Sequence, residues 1–156
     1  VLVLGTLPGE ESLRRQQYYA HPRNLFWPIV FSLFGAPVPE SYGERLRFLR
    51  ECGIALWDVV ESGQRIASAD ATIRVEQPNA IPELLNMHPN IRAVAFNGSG
   101  ARRLHDRHFA RRPDLTYLAL PSTSPAYASL GFDAKLAQWR MLHDMLVRQP
   151  ETAHNR

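Results

Sequence analysis

Two segments near the start of the chain hold residue types that could do chemistry side by side. Gly5-Thr6-Leu7-Pro8-Gly9 follows the apolar run Val1-Leu2-Val3-Leu4. A strand ending in Gly-x-x-Pro-Gly presents a tight backbone loop at its carboxyl end, where open α/β sheets bind ligands. The glycines let backbone come close to a ligand, and Pro8 fixes the turn. The second segment, Tyr18-Tyr19-Ala20-His21-Pro22-Arg23-Asn24-Leu25-Phe26-Trp27, supplies flat rings and a carboxamide. A stacking surface plus a group that both donates and accepts hydrogen bonds is what holding a nucleobase requires. Each segment also has a plainer reading. The first is then a geometric turn, and Asn24 caps the helix that follows it.

Two further loops carry phosphate-binding residue types. Pro121-Ser122-Thr123-Ser124-Pro125 places three hydroxyls between two prolines after an apolar run, either as a phosphate-binding loop or as a rigid turn. Asn97-Gly98-Ser99-Gly100 opens a helix bearing Arg102 and Arg103, which suits either a phosphate or a plain helix start with solvated arginines. Asp58, at the end of another apolar run, could act as a base, orient water or tie down a neighbouring loop. His105-Asp106-Arg107-His108 lacks a third ligand and reads as an exposed helix face, so no metal or other cofactor is expected. The first loop lacks both the Gly-x-x-x-x-Gly-Lys and the Gly-x-Gly-x-x-Gly patterns, which disfavours triphosphate hydrolysis.

The elements that must position these loops alternate. Strands are expected at Val1–Leu4, Ile54–Val60, Arg92–Phe96 and Leu115–Leu120. Helices are expected at Asn24–Phe34, Ser41–Cys52, Ala80–Met87, Ser99–Arg111 and Asp133–Arg148. That alternation predicts an α/β fold, a three-layer α/β/α sandwich around a central four-stranded, mainly parallel sheet. A parallel sheet would gather the three loops at one rim. One domain is expected over residues 1–149, with a polar, frayed tail from Pro150 to Arg156. Glu61–Gln77 follows neither helix nor strand period; it holds Ser68, Asp70 and Arg74 and reads as a functional loop or a surface connection.

Composition bounds the partners. The single cysteine, Cys52, excludes an internal disulfide and a cysteine-held cluster within one chain. No apolar run approaches a membrane span and no leader precedes the first strand, so a cytoplasmic protein is expected. Because the chain opens without methionine, its natural start is read as trimmed. Net charge is only +3, and Lys135 is the sole lysine among the basic residues. Arginine suits bidentate phosphate contacts, and so modest a charge fits a protein that visits nucleic acid rather than coating it.

The Gly5–Gly9 loop, His21-Pro22-Arg23-Asn24-Leu25-Phe26-Trp27, Asn97-Gly98 and Pro121-Ser122-Thr123-Ser124-Pro125 occur in the order and spacing of the uracil-DNA glycosylase superfamily. The chain most resembles its hypoxanthine-DNA glycosylase branch, with the mismatch-specific uracil and thymine glycosylases as cousins. The resemblance covers nearly the whole chain. It implies a base pocket walled by Gly5, Thr6, Leu7, Pro8 and Gly9, with Tyr19 as the stacking aromatic and Asn97 and Gly98 lining the pocket or adjoining backbone. It also implies a catalytic Asn24, and a loop of Ser122, Thr123, Ser124 and Pro125 entering DNA with Ser122 on a phosphate. Leu7 stands where many members carry asparagine or aspartate. Leucine cannot orient or activate water, so the catalytic burden moves to Asn24.

The expected activity is that of a monofunctional DNA repair glycosylase in base excision repair, removing a flipped-out deaminated base, hypoxanthine first. The partner is then DNA, the protein a monomer, and no membrane is involved. One alternative is a uracil or G:U/G:T mismatch glycosylase. Another is a non-catalytic domain binding nucleotides or nucleic acid. Bond cleavage would proceed with an amide donor stabilising charge on the departing base. With no lysine near the proposed pocket, Schiff-base lyase chemistry is disfavoured. Tyr18, Phe26 and Trp27 read as core.

Overall fold

A computed structural model describes residues 1–63 and 76–148. In chain order its elements are β1 (Leu2–Gly5), α1 (Glu10–Arg15), α2 (Phe26–Leu33), α3 (Tyr42–Glu51), β2 (Ala55–Asp58), β3 (Val60–Gly63), β4 (Glu76–Pro78), α4 (Ile81–Met87), β5 (Ala93–Asn97), α5 (Ser99–His108), β6 (Thr116–Leu120) and α6 (Phe132–Val147). Four strands form one sheet in the order β2-β1-β5-β6, and every pairing in it is parallel. The expected sandwich is therefore observed.

A parallel sheet with helices on both faces has no solvent side, so its strands are apolar throughout. Alternate residues serve opposite layers. Val1, Val3, Ala93, Ala95, Leu118 and Leu120 pack with Phe26, Phe31 and Trp139 in one core. Leu2, Leu4, Val94 and Phe96 pack with Ile81, Leu85, Ala101 and Leu104 in the other. Helix limits follow local chemistry. Ser41 caps α3 by accepting from the Glu44 N–H, and Gly53 at φ +76 turns the chain out of it.

Because all four strands run the same way, Gly5, Asp58, Asn97 and Leu120 end at one rim. The chain places β2 on one side of β1 and β5 on the other, so a crevice opens where the winding reverses. Among the described residues no helix is long and apolar enough to cross a membrane.

Three expectations change. The apolar run Ile54–Val60 is not one strand. Its parallel strand ends at Asp58, and Val60 opens a two-stranded antiparallel ribbon with β4. Residues 61–63 and 76–77 of the expected loop Glu61–Gln77 belong to that ribbon; Ser68, Asp70, Arg74 and the tail 150–156 lie outside the described residues. Third, His105 is not exposed. It is 1% accessible, with its ring packed among Phe96, Phe109 and Tyr117. Burial lowers its pKa from the ordinary 6.5, against the opposing pull of the Asp106 carboxylate. In acid the unfolded chain then binds the extra proton, so stability is intact above pH 6.5 and lost as pH falls below it. Urea midpoints should therefore drop between pH 7.5 and 5, and His105→Gln should flatten that slope.

Candidate functional site

A cleft of about 880 Å³ opens at the carboxyl rim of the sheet. Its floor is Gly5, Asp58 and Asn97, and one wall is α1 with the turn through Tyr18 and Tyr19. His21, Arg23 and Asn24 line another side, and Ser122 to Ala126 close the last. All of Gly5 to Gly9, Tyr19, Asn24, Asp58, Asn97 and Ser122 to Pro125 thus share one cavity. Gly98 lies behind Ser122, while Arg102 and Arg103 are exposed on α5 outside the lining.

Asn24 does two things at once. Its Oδ1 accepts from the Phe26 N–H at 2.9 Å, which fixes the start of α2. Because a backbone N–H can only donate, the amide oxygen must face it, and the Nδ2 donors are held on the opposite side. No protein acceptor takes those donors among the described residues. The turn that leads into α2 and a fixed donor at the cleft are one arrangement.

Tyr19 sits at φ +54, a left-handed conformation that costs about 1–3 kcal/mol for a bulky residue and recurs at functional sites. One face of its ring stacks on Phe26 at 4.1 Å between centroids, and Phe26 packs edge-on against Trp139. The aromatic plate is thereby anchored in the core. Its hydroxyl reaches the floor: a Cβ on Gly5 would lie 3.4 Å from it and 2.5 Å from Asp58 Oδ1. Glycine is required there because the Asp58 carboxylate occupies the side-chain space.

The hydroxyl loop is tethered from three directions. Asn97 Nδ2 donates to Thr123 Oγ1 at 2.9 Å, and Asn97 Oδ1 accepts from the Thr123 N–H at 3.0 Å. The Leu25 N–H donates to the Thr123 carbonyl at 3.0 Å, joining the loop to the residue after Asn24. Trp139 Nε1 on α6 donates to the Pro121 carbonyl at 2.9 Å. Asn97 spends its carboxamide on Thr123, so its contribution to the cleft is to hold that loop in place. Ser122 Oγ accepts from the Ser124 N–H and remains half-buried at the cleft edge.

Tyr18, read as core, packs half-buried against the core and also lines the cleft. Burial, the Asp58 carboxylate and Tyr42 push its pKa up to about 12, so the phenol stays neutral. Tyr42, which sequence reasoning did not single out, also lines the cleft, and its hydroxyl accepts from the Tyr18 N–H at 3.0 Å. Helix α1 was missed as well. It buries no residue, and its one sequence signal was Glu11 at i+3 and i+4 spacing from Arg14 and Arg15, which it pairs. His21 Nδ1 accepts from the Arg23 N–H at 3.1 Å. Among the described residues no cluster of three His, Cys, Asp or Glu could hold a metal.

The family profile described as the uracil DNA glycosylase superfamily matches residues 1–143. Two curated relatives, both named hypoxanthine DNA glycosylase, come from Methanosarcina barkeri and Methanosarcina acetivorans. The first is 41% identical over 99 residues, spanning 63% of this chain and 63% of the relative. The second is 40% identical over 102 residues, spanning 65% of each. In both cases the matched stretch is just under two thirds of the relative's length. A solution NMR structure of a candidate uracil DNA glycosylase from Methanosarcina acetivorans superposes with a TM-score of 0.77 at 33% identity, covering 94% of this chain and 89% of that one.

Proposed function

Since this chain belongs to the uracil DNA glycosylase superfamily, we propose that it is a monofunctional DNA repair glycosylase acting on a flipped-out deaminated base, hypoxanthine first. The observation that carries the reading is the Asn24 carboxamide at the cleft wall, its oxygen committed to Phe26 and its N–H₂ left for a ligand. Leu7 in the first loop and the names of the two relatives favour hypoxanthine over uracil.

Hydrolysis breaks the bond between C1′ and the base nitrogen, and the electron pair leaves with the base. Water adds its oxygen to C1′, and its proton balances the charge on the base. Asn24 donates to the base as that charge grows; a donor aimed at developing charge acts without reorganising. Asp58 is the carboxylate placed to orient the water or to favour the electron-poor sugar. Ser122 contacts a phosphate, the loop through Pro125 enters the helix, and Arg102 and Arg103 reach flanking phosphates. The reading takes the protein as a cytoplasmic monomer.

Extrusion of a nucleotide costs a few kcal/mol, least in a weak mispair. The Tyr19 ring, backed by Phe26, returns part of that cost by stacking. Tyr19→Ala should weaken binding by about 1–3 kcal/mol, roughly five- to 150-fold in KM. Tyr19→Phe should restore most of it, and an unchanged KM in the alanine variant would remove the ring from the pocket.

The reading is tested with matched duplexes holding hypoxanthine, uracil or xanthine, followed by alkaline cleavage of abasic sites. Strand breakage at hypoxanthine is expected. Breakage at uracil alone would make it a uracil or mismatch enzyme. No breakage on any substrate would leave a nucleic-acid-binding domain.

A further inference from the structure

Lys135 is the only lysine in the chain, and α6 buries it to 2% accessibility. It lies in the first turns of a helix, where the dipole disfavours positive charge. Among the described residues no carboxylate lies within ion-pair distance of it. Desolvating such a charge is costly, and burial lowers its pKa accordingly. A leucine or methionine would pack without that cost.

What the ammonium touches lies beyond the cleft edge. Nζ donates to the Tyr127 carbonyl at 2.7 Å and sits 5.2 Å from the centroid of the same residue's ring. Both contacts fall on one residue, so backbone and ring are fixed together; a cation within about 6 Å of a ring centroid attracts it. Tyr127 is two residues past Pro125, and 41% of it is exposed, so a partly exposed ring is held just beyond the carboxyl end of the hydroxyl loop. One turn along the same face of α6, Trp139 holds Pro121 at the other end of that loop. The helix thus grips the loop at both ends, by an indole at the buried end and by a charge at the exposed end.

We propose that Lys135 is a positioning residue that holds the Tyr127 ring as a plug, filling the gap an extruded nucleotide leaves in the duplex. The inference rests on the glycosylase reading, because only a base-extruding protein leaves such a gap. Lys135 itself touches no nucleotide.

The test uses a duplex with a tetrahydrofuran abasic analogue opposite 2-aminopurine, so that no excision is needed. Ring insertion beside 2-aminopurine quenches its emission. The wild-type protein should quench at least twofold at saturation. Tyr127→Ala and Lys135→Met should lose that quenching while still binding, and Lys135→Arg should keep part of it. Thermal melting of each variant checks the fold, and Tyr127→Ala, a change in an exposed loop, reads the plug even should Lys135→Met fail to fold. A merely structural lysine would lower the melting temperature and leave quenching at saturation intact. Wild-type quenching that survives in Lys135→Met or Tyr127→Ala overturns the plug and leaves the glycosylase reading standing. Wild-type binding without quenching also overturns it. Failure of the function itself has a separate signature: no strand breakage at any deaminated base.

Discussion

Asn24→Asp should abolish most excision while leaving the fold as stable as the parent. Aspartate keeps an oxygen for the Phe26 N–H, so the turn into α2 keeps its hydrogen bond. It removes the N–H donors and puts a negative oxygen where charge grows on the departing base. Loss of one such donor costs roughly 10²–10³ in rate, and the added repulsion deepens it. Asn24→Ala loses that turn hydrogen bond as well, about 1 kcal/mol, or roughly 2–4 °C in melting temperature for a domain of this size. The pair of variants therefore separates the two jobs of one side chain. Single-turnover rates on a hypoxanthine duplex, with melting curves alongside, give the answer. An aspartate variant within tenfold of the parent rate would mean the carboxamide serves only the helix.

Gly98→Ala should harm both folding and excision, through two separable causes. Gly98 has φ +98 and ψ 159, a conformation essentially restricted to glycine; forcing a side chain there costs about 1–3 kcal/mol. A Cβ would also stand 2.9 Å from the Ser122 Cβ and 3.4 Å from its Cα. The loop must retreat, and it is held by Asn97 and Leu25 at the very next residue. Misplacing a binding loop by an ångström can cost on the order of 10²-fold. A drop of ten- to a hundredfold in single-turnover rate is expected. Adding Ser122→Gly removes the steric part and leaves the backbone part, so a double-mutant cycle should show positive coupling. Additive effects would mean the two residues do not press on each other.

Much of the fold was legible because both faces of the sheet are covered. Strands such as Val1–Leu4 and Arg92–Phe96 read as apolar runs, and a parallel order follows from their alternation with helices. That alone brought the three loops to one rim. What escaped has physical reasons. The run Ile54–Val60 gave no sign that its partner changes, because an apolar sequence does not mark where one ladder ends and another begins. Helix α1 has no buried face and so no period to detect. His105 was misjudged from its charged neighbours, although Ala101, Leu104 and His105 share the i, i+3, i+4 stripe that enters the core. Lys135 follows the same rule with Trp139 and Leu142. The grip of Asn97 on Thr123 spans 26 positions and could not be read from either segment alone.

The stitching of Thr123 bears on how a long polymer would be met. Its amide, hydroxyl and carbonyl are all engaged before any partner arrives. The disorder of that loop is given up as the chain folds, so little remains to be surrendered at an encounter. On the proposed function, the jaw would not mould itself to the double helix. Deformation would fall on the nucleic acid, and positions where stacking and pairing are already weak would yield first.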